Sequence, residues 1–268
     1  MKQEAQTEKD VSFSSVTQEQ ITVHERDHPD ADAHSALSRL LCFGDRRDSL
    51  VGSILDWVGR AIIEGRLQPG DDLNSVDLAR RFHTSRAPVR EALILLEKEG
   101  LVEMQARRRP RVATISLRQV RELYQVRATL HAFVAELIVT NAADEEIATL
   151  HELYELMEAA VRAGDLSAYF WANVALHERS TEICGNAAVK QLLDSLGLRT
   201  LQMRHFSLSQ PQRMEQSLAD HERLLRAYEE RDPLLAAALM RANILGALRA
   251  IERSGWTGIH ALPSSELA

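Results

Sequence analysis

The chain has 268 residues, of which 45% are hydrophobic, and a formal net charge of −7; this length allows two domains, each with its own core. Such an acidic chain is unlike a generic nucleic-acid binder, and its two cysteines, Cys42 and Cys184, indicate no disulfide framework. Neither a signal peptide nor an apolar run of transmembrane length is evident, which predicts a soluble, cytoplasmic protein without a membrane partner.

Charge is unevenly distributed along the chain. Residues 1–48 hold 6 Lys and Arg against 10 Asp and Glu, residues 49–116 hold 11 against 9, and residues 117–268 hold 15 against 20. The first segment is polar without sustained periodicity, which predicts a flexible acidic arm with solvated histidines at His24, His28 and His34. Positive charge is therefore concentrated in residues 49–116.

Within this segment, residues 65–82 predict a turn followed by a short helix. Pro69-Gly70 and Asp71-Asp72 are turn formers, and they indicate that a first helix ends near Glu64. A short helix is predicted over residues 76–82, with Ser75 available as its N-cap.

A second helix is predicted directly after the His83-Thr84 connection. Ser85 can cap it, and Pro88 lies in its first turn, where the missing N–H costs nothing. Arg86 and Arg90 lie on one face, whereas the opposite face is apolar and consists of Val89, Ala92, Leu93 and Leu96. Two short helices with Arg at the start of the second are typical of a helix-turn-helix that enters the major groove of DNA.

A β-hairpin is predicted after Gly100. Residues 101–102 and 112–115 are β-prone, and the basic run 105–111 separates them. Such a hairpin would form a wing whose arginines reach the flanking phosphates, namely Arg107, Arg108, Arg109 and Arg111.

The run LNSVDLARRFHTSRAPVREALILLEKEGLV, residues 73–102, resembles the DNA-binding domain of GntR-type bacterial transcription regulators. The resemblance implies a winged helix-turn-helix over residues 49–116 in which Ser85, Arg86 and Arg90 contact DNA. Two features depart from the family. Many members carry glycine at the wing tip, where this chain has arginines around Pro110, and some carry a basic residue where this chain has Val76.

From Ser116 onward the pattern is helical. Ser116 and Gln119 form a capping box, and Asp144, Asp165, the Gly185-Asn186 break and Asp232 with Pro233 mark further helix starts. The sequence predicts six amphipathic helices in an antiparallel bundle able to hold a small ligand, ending near residues 141, 163, 183, 206, 230 and 254. The fold class is thus mainly α, with a winged helix-turn-helix followed by an all-α bundle.

Residues 117–254 resemble the all-helical FCD effector domain of the FadR-type subgroup of GntR regulators. The matching segments are residues 122–130, 173–177, 185–186 and 220–227; a C-terminal tail, 255–268, follows. The resemblance implies a divalent metal (zinc, nickel or manganese) held by an Asp four residues before a His and by two further His. It also implies an organic acid effector that binds the metal and a nearby Arg.

The implied metal ligands are only partly present. His177 and His221 match, but the acidic position is Asn173 and the last histidine position is Asn243, and neutral amides are poor ligands for a transition metal. Three interpretations stay open: His177 and His221 hold a metal with Asn173 and Asn243, they line a metal-free effector pocket together with Asn173 and Asn243, or they are structural histidines.

Two residues of the first bundle helix are further candidates for binding the effector. Arg127 matches an Arg of the family and can anchor an effector carboxylate; its alternative is a surface salt bridge with Glu122 or Glu136. His131 stands where such domains commonly have Glu, and it can face the cavity.

The resemblance implies a ligand-responsive transcription repressor, a homodimer on a palindromic DNA operator. One alternative is the same regulator with a metal-free pocket for a bulkier acyl or aromatic effector. A less favoured one is a metal-dependent enzyme, because the chain has no nucleophile elbow, phosphate loop, dinucleotide fingerprint or HExxH segment.

Overall fold

The computed structural model describes residues 49–196 and 198–256. Within these residues the protein is mainly α-helical with one two-stranded antiparallel sheet, which confirms the predicted fold class. The predicted acidic arm with its three histidines, and the predicted tail beyond Trp256, lie outside the described residues.

The described residues before the bundle form three helices and a hairpin. They are α1 (Leu50–Ile63), α2 (Ser75–Arg81), α3 (Arg86–Lys98), β1 (Val102–Glu103) and β2 (Arg111–Val112). The N-cap of α2 is Asn74 rather than the expected Ser75, and its side chain accepts a hydrogen bond from the Val76 N–H. Asn is as good an N-cap as Ser, so the helix begins one residue earlier.

The bundle contains seven helices. They are α4 (Leu117–Asn141), α5 (Asp144–Ala163), α6 (Leu166–Ile183), α7 (Ala187–Ser195), α8 (Arg199–Leu208), α9 (Arg213–Glu229) and α10 (Pro233–Arg253). The expected capping box of Ser116 and Gln119 opens α4, and Asp165 and Asp232 cap α6 and α10. Ala143, not Asp144, is the N-cap of α5, where the Glu146 carboxylate accepts from the Ala143 N–H.

The prediction of one continuous helix from residue 187 to about 206 is wrong. Two helices, α7 and α8, occupy this segment, and Leu196 is the C-cap of α7. The chain has a glycine at position 197, and glycine has a low helix propensity. The interruption makes α8 a separate helix.

Within the described part of the chain, α10 is the one helix long and apolar enough to cross a membrane. The expectation that no apolar run reaches that length is therefore wrong. However, α10 packs along α4 in the bundle: Arg121 of α4 contacts Glu252, and Asn243 and Met240 are buried. Its apolar composition is explained by its place in the core.

Direct contacts join the two parts of the molecule. Arg199 of α8 donates from Nε to the Gly100 carbonyl, 3.1 Å away, between α3 and the wing. Trp171 of α6 donates from Nε1 to Glu64 Oε1, 3.0 Å away, at the end of α1. Trp256 is buried, and its Nε1 donates to the Ile115 carbonyl at 3.4 Å. The bundle therefore touches both ends of the helix-turn-helix.

Candidate functional site

Helix α3 presents its polar face to solvent. Arg86 and Arg90 are exposed, whereas Val89, Leu93 and Leu96 on the opposite face are completely buried. Ser85 is the N-cap, as predicted, but its side chain makes no hydrogen bond to the first turn. The first N–H groups of α3 are thus open at an exposed helix N-terminus, a geometry that favours phosphate.

The wing is attached to the loop that precedes α2. The Leu73 N–H donates to the Pro110 carbonyl at 2.7 Å, and the Val112 N–H donates to the Asp71 carbonyl at 2.9 Å. Arg111 donates from Nε to Asp72 Oδ1 at 2.6 Å. Arg111, a predicted DNA contact, is therefore engaged in bracing the wing.

The other three predicted wing residues project into solvent. Arg107, Arg108 and Arg109 are all exposed, and Arg107 adopts a positive φ of 64°. This left-handed conformation is the one that glycine adopts most readily. The turn thus retains the left-handed conformation while carrying a guanidinium.

A cavity of about 70 Å³ lies inside the bundle. Three predicted effector residues, Arg127, His131 and His177, line it together with a fourth basic residue, Arg204 of α8. The His131 and His177 rings are 5.0 Å apart, and the His177 and His221 rings are 5.3 Å apart, between centroids. The cavity is also lined by Glu178, Thr181, Lys190, Leu193, Asp194, Leu198, Thr200 and Leu201.

Behind the cavity, hydrogen bonds fix the orientation of Asn173. Arg204 donates from Nη2 to Asn173 Oδ1 at 2.9 Å. Because guanidinium has no acceptor, the amide oxygen must face Arg204, and the amide nitrogen then faces His221 Nε2, 3.3 Å away. His221 Nε2 must accept, so its Nδ1 carries the proton, which it donates to the Ser217 carbonyl at 2.6 Å.

Asn243, the remaining candidate, belongs to a different group of contacts. Its amide nitrogen donates to Asp220 Oδ2 at 3.3 Å, and its backbone carbonyl accepts from Arg213 at 3.1 Å. Asn243 does not line the cavity. The structure thus brings Asn173 to His221, but places Asn243 beside an acidic residue.

Burial keeps the three histidines neutral. Burial, reinforced by Arg127 and Arg204, lowers the pKa of His131 and of His177 well below the usual value. Burial also lowers the pKa of His221 to about 4. Lys190, which also lines the cavity, is paired with Asp194. The unpaired positive charge beside the histidines therefore resides on Arg127 and Arg204, and burial and the proximity of Arg127 lower the pKa of Arg204 to about 9.

Several polar atoms at the cavity are buried without a hydrogen-bond partner among the described residues. They are Nη1 of Arg127, Nδ1 of His131 and Nδ1 of His177. Arg127 is only 3% exposed, and its guanidinium carbon lies 5.2 Å from the Tyr124 ring centroid, so the surface salt bridge considered for it is not present. A buried, unpaired donor costs about 1–3 kcal/mol; a small anion would satisfy it.

Two family models match the chain and divide it between them. Residues 51–112 match the bacterial regulatory proteins of the gntR family, and residues 122–245 match the FCD domain. The chain belongs to the GntR family and carries an FCD domain. This confirms the resemblance seen in the sequence, and it makes the protein a transcription regulator and not an enzyme.

Curated relatives of this GntR regulator are also transcription regulators. The HTH-type transcriptional regulator YdhC of Bacillus subtilis is 28% identical over 65% of this chain and 78% of its own length. The gluconate operon transcriptional repressor of Bacillus licheniformis is 26% identical over 63% and 68%. The HTH-type transcriptional repressor GlaR of Escherichia coli is 27% identical over 74% and 94%.

Solved structures share the fold of the GntR regulator. E. coli McbR/YncC has a TM-score of 0.67 at 20% identity and covers 78% of this chain and 99% of its own. A GntR transcriptional regulator from Rhodococcus sp. RHA1 has a TM-score of 0.65 at 20% identity, with 76% and 98% covered. At this identity the likeness concerns the fold alone.

The donor set of this FCD domain does not fit a divalent metal. Among the described residues, no group of three or more His, Cys, Asp or Glu side chains could hold a metal ion. The amide of Asn173 is already used by Arg204 and His221, and that of Asn243 by Asp220. Metal coordination would have to break these contacts.

Arg204 is a functional candidate that sequence reasoning missed. The sequence predicts one long helix over the segment that contains Arg204. The position of Arg204 beside Asn173 depends on how α8 packs against α6. Periodicity along one helix carries no such information.

Substitutions in the wing should show whether Arg108 and Arg109 contact the DNA phosphates. Arg108→Ala and Arg109→Ala should each reduce the slope of log K against log salt for DNA binding by about 0.9 if the residue neutralises one phosphate. Binding would be measured by fluorescence anisotropy over a salt series. Arg162→Ala, an exposed arginine of α5, is the matched control, and unchanged slopes in both wing variants would contradict a phosphate contact.

Proposed function

We propose that this regulator is a cytoplasmic repressor that binds a palindromic operator as a homodimer and is controlled by a small organic acid in the FCD cavity. The observation that carries the proposal is the buried guanidinium of Arg127, which lines the cavity and whose Nη1 has no hydrogen-bond partner within the described part of the chain. The domain that holds this cavity also contacts Gly100, just after α3. Two of the relatives described above are named as repressors, which supports the sign of regulation.

The size and charge of the cavity favour a small carboxylate. Arg127 and Arg204 supply cationic donors, and neutral His131 and His177 add donor or acceptor atoms for hydroxyl groups. A volume of about 70 Å³ is small for a bulky acyl or aromatic ligand, and we therefore favour the small acid over that alternative.

An apolar stripe on the bundle supports the homodimer. Val126, Leu130, Phe133 and Leu137 recur every three or four residues along α4, and Val126 and Phe133 are 48% and 41% exposed. Leu234, at the start of the neighbouring α10, is 78% exposed. A second copy seated here would cover apolar surface and present two α3 helices to the two halves of a palindrome.

Helix α8 provides a physical route between ligand and DNA. Thr200, Leu201 and Arg204 line the cavity, whereas Arg199 of the same helix holds the Gly100 carbonyl between α3 and the wing. A ligand that binds Arg204 therefore contacts a helix that is also hydrogen-bonded to the DNA-binding part. Effector binding would thereby favour one placement of α3 over another.

The proposal is tested with DNA first and ligands second. Operator fragments are selected from sheared bacterial genomic DNA by the purified protein, and release is then measured with acetate, L-lactate, succinate and D-gluconate. We expect palindromic operators, and release by at least one acid. Failure of every acid to change the DNA affinity would contradict effector control by small acids.

Arg127→Gln should abolish the response to the acid that releases the wild-type protein. The substitution removes the buried cation and keeps a hydrogen-bonding side chain. We therefore expect the variant's complex with the operator to persist at acid concentrations that dissociate the wild-type complex. Arg118→Gln, an exposed residue of the same helix, is the control. Melting temperatures establish that both variants fold, and a retained response in Arg127→Gln would exclude it as the anchor.

A further inference from the structure

The position where an FCD metal carboxylate would stand is occupied by a fully engaged amide. Asn173 is 4% exposed, accepts from Arg204 through Oδ1, and faces His221 with its amide nitrogen. In this arrangement the lone pair of His221 Nε2 accepts the Asn173 hydrogen, and Nδ1 is protonated and bound to Ser217. Neither nitrogen of His221 is left to coordinate a cation.

The guanidinium of Arg204 opposes the binding of a metal cation and supplies a positive charge in its place. Its Nη2 donates to Asn173 Oδ1 at 2.9 Å and to the Asn173 carbonyl at 3.3 Å, and these two hydrogen bonds hold the guanidinium in place. The same side chain lines the cavity beside His177 and Arg127. A fixed guanidinium at this place repels a divalent cation and attracts a carboxylate.

We infer that the effector site of this protein is independent of metal and that the guanidinium of Arg204, positioned by Asn173, supplies the positive charge that a metal supplies in FCD domains with an acidic residue at this position. The nature of the ligand, a small carboxylate, rests on the function proposed above. The exclusion of a metal rests on the hydrogen bonds of Asn173, His221 and Arg204 alone.

The two cations differ in what they select. A divalent metal accepts lone pairs from any hydroxyl or carboxylate oxygen, whereas a guanidinium donates two parallel N–H bonds to the two oxygens of one carboxylate. With Arg127 as a second guanidinium at the same cavity, the site recognises carboxylate groups by geometry. Chelators such as EDTA should therefore leave ligand binding intact.

A metal titration tests the inference without any effector. The full-length protein is dialysed against ZnCl₂, NiCl₂ or MnCl₂, and bound metal is measured by elemental analysis. His177→Ala/His221→Ala is the reference for metal that binds elsewhere on the surface. We expect the same metal content in both proteins. One additional metal per chain in the wild-type protein, absent from the double variant, would overturn the inference.

A conversion variant tests the role assigned to Arg204. Asn173→Asp/Asn243→His restores the two missing ligands, and adding Arg204→Gln removes the competing cation. We expect one bound metal per chain in the triple variant and a lower metal affinity when Arg204 is retained. Melting temperatures show whether both variants fold; equal metal binding by the two folded variants would overturn the role of Arg204.

A ligand experiment separates this inference from the proposed function. The affinity for the acid that releases DNA, measured by calorimetry, should be the same with and without EDTA and should fall about 10- to 100-fold in Arg204→Gln. Loss of binding in EDTA would overturn metal independence. If no acid of the panel binds, the proposed effector class fails, while the metal titration still decides the inference.

Discussion

Alanine at Arg86 or Arg90 is expected to weaken operator binding by about 1–3 kcal/mol for each residue, which corresponds to roughly 5- to 150-fold in Kd. Both side chains are exposed on the polar face of α3, and the helix is held by its buried apolar face. The loss therefore reflects contacts with DNA, and the melting temperature should not change.

The pattern of the loss identifies the kind of contact. A side chain that binds a base edge should lose discrimination between the selected operator and one altered at a single base pair, whereas a phosphate contact should weaken both equally. Arg162→Ala on the remote helix α5 is the control for the general effect of losing an exposed arginine. Wild-type affinity in the double variant Arg86→Ala/Arg90→Ala would exclude α3 as the recognition helix.

Acidification should destabilise the FCD domain. The folded protein holds His131, His177 and His221 neutral with pKa values below the ordinary one, so below about pH 6.5 the unfolded chain binds more protons and stability falls. Between pH 7.5 and 5.5 each histidine that stays neutral in the folded protein should lower the free energy of unfolding by on the order of 1 kcal/mol.

Urea unfolding at the two pH values, with EDTA present, measures this effect. Carboxylates elsewhere also titrate, so the informative quantity is the difference between variants: the loss of stability on acidification should be smaller in His131→Gln than in the wild-type protein. Arg118→Gln, a substitution at an exposed residue of α4, is the control for the substitution itself. Equal pH dependence in the wild-type protein and in His131→Gln would show that His131 is not held neutral.

The local features of this fold were predictable because they depend on short-range chemistry. The capping box at Ser116, the Asp232-Pro233 start and the SR-PVREAL spacing each specify a helix start from neighbouring residues. Asn173, His177 and His221 were grouped in a different way, by the resemblance to FCD domains, and their side chains lie together in the structure.

What the sequence did not predict depends on packing between distant elements. Arg204 hydrogen-bonds to Asn173, 31 positions earlier, and Arg199 hydrogen-bonds to Gly100, 99 positions earlier, and neither contact follows from the residues around the arginines. Arg111 stays a predicted DNA contact, but its hydrogen bond to Asp72, 39 positions earlier, was not predicted. The basic run alone predicts that each of its arginines contacts DNA, because an intramolecular partner such as Asp72 is distant in the sequence.

The attachment of α8 to both cavity and wing has a thermodynamic consequence. Coupling between two binding equilibria is reciprocal, so whatever factor the acid changes in DNA affinity, DNA must change in acid affinity. If the acid releases DNA, a repressor seated on its operator holds the acid more weakly than a free one does. Repressor bound to the operator would then take up the acid at higher acid concentrations than free repressor does. The affinity of the operator for the repressor would thus set the acid concentration at which the repressor is released.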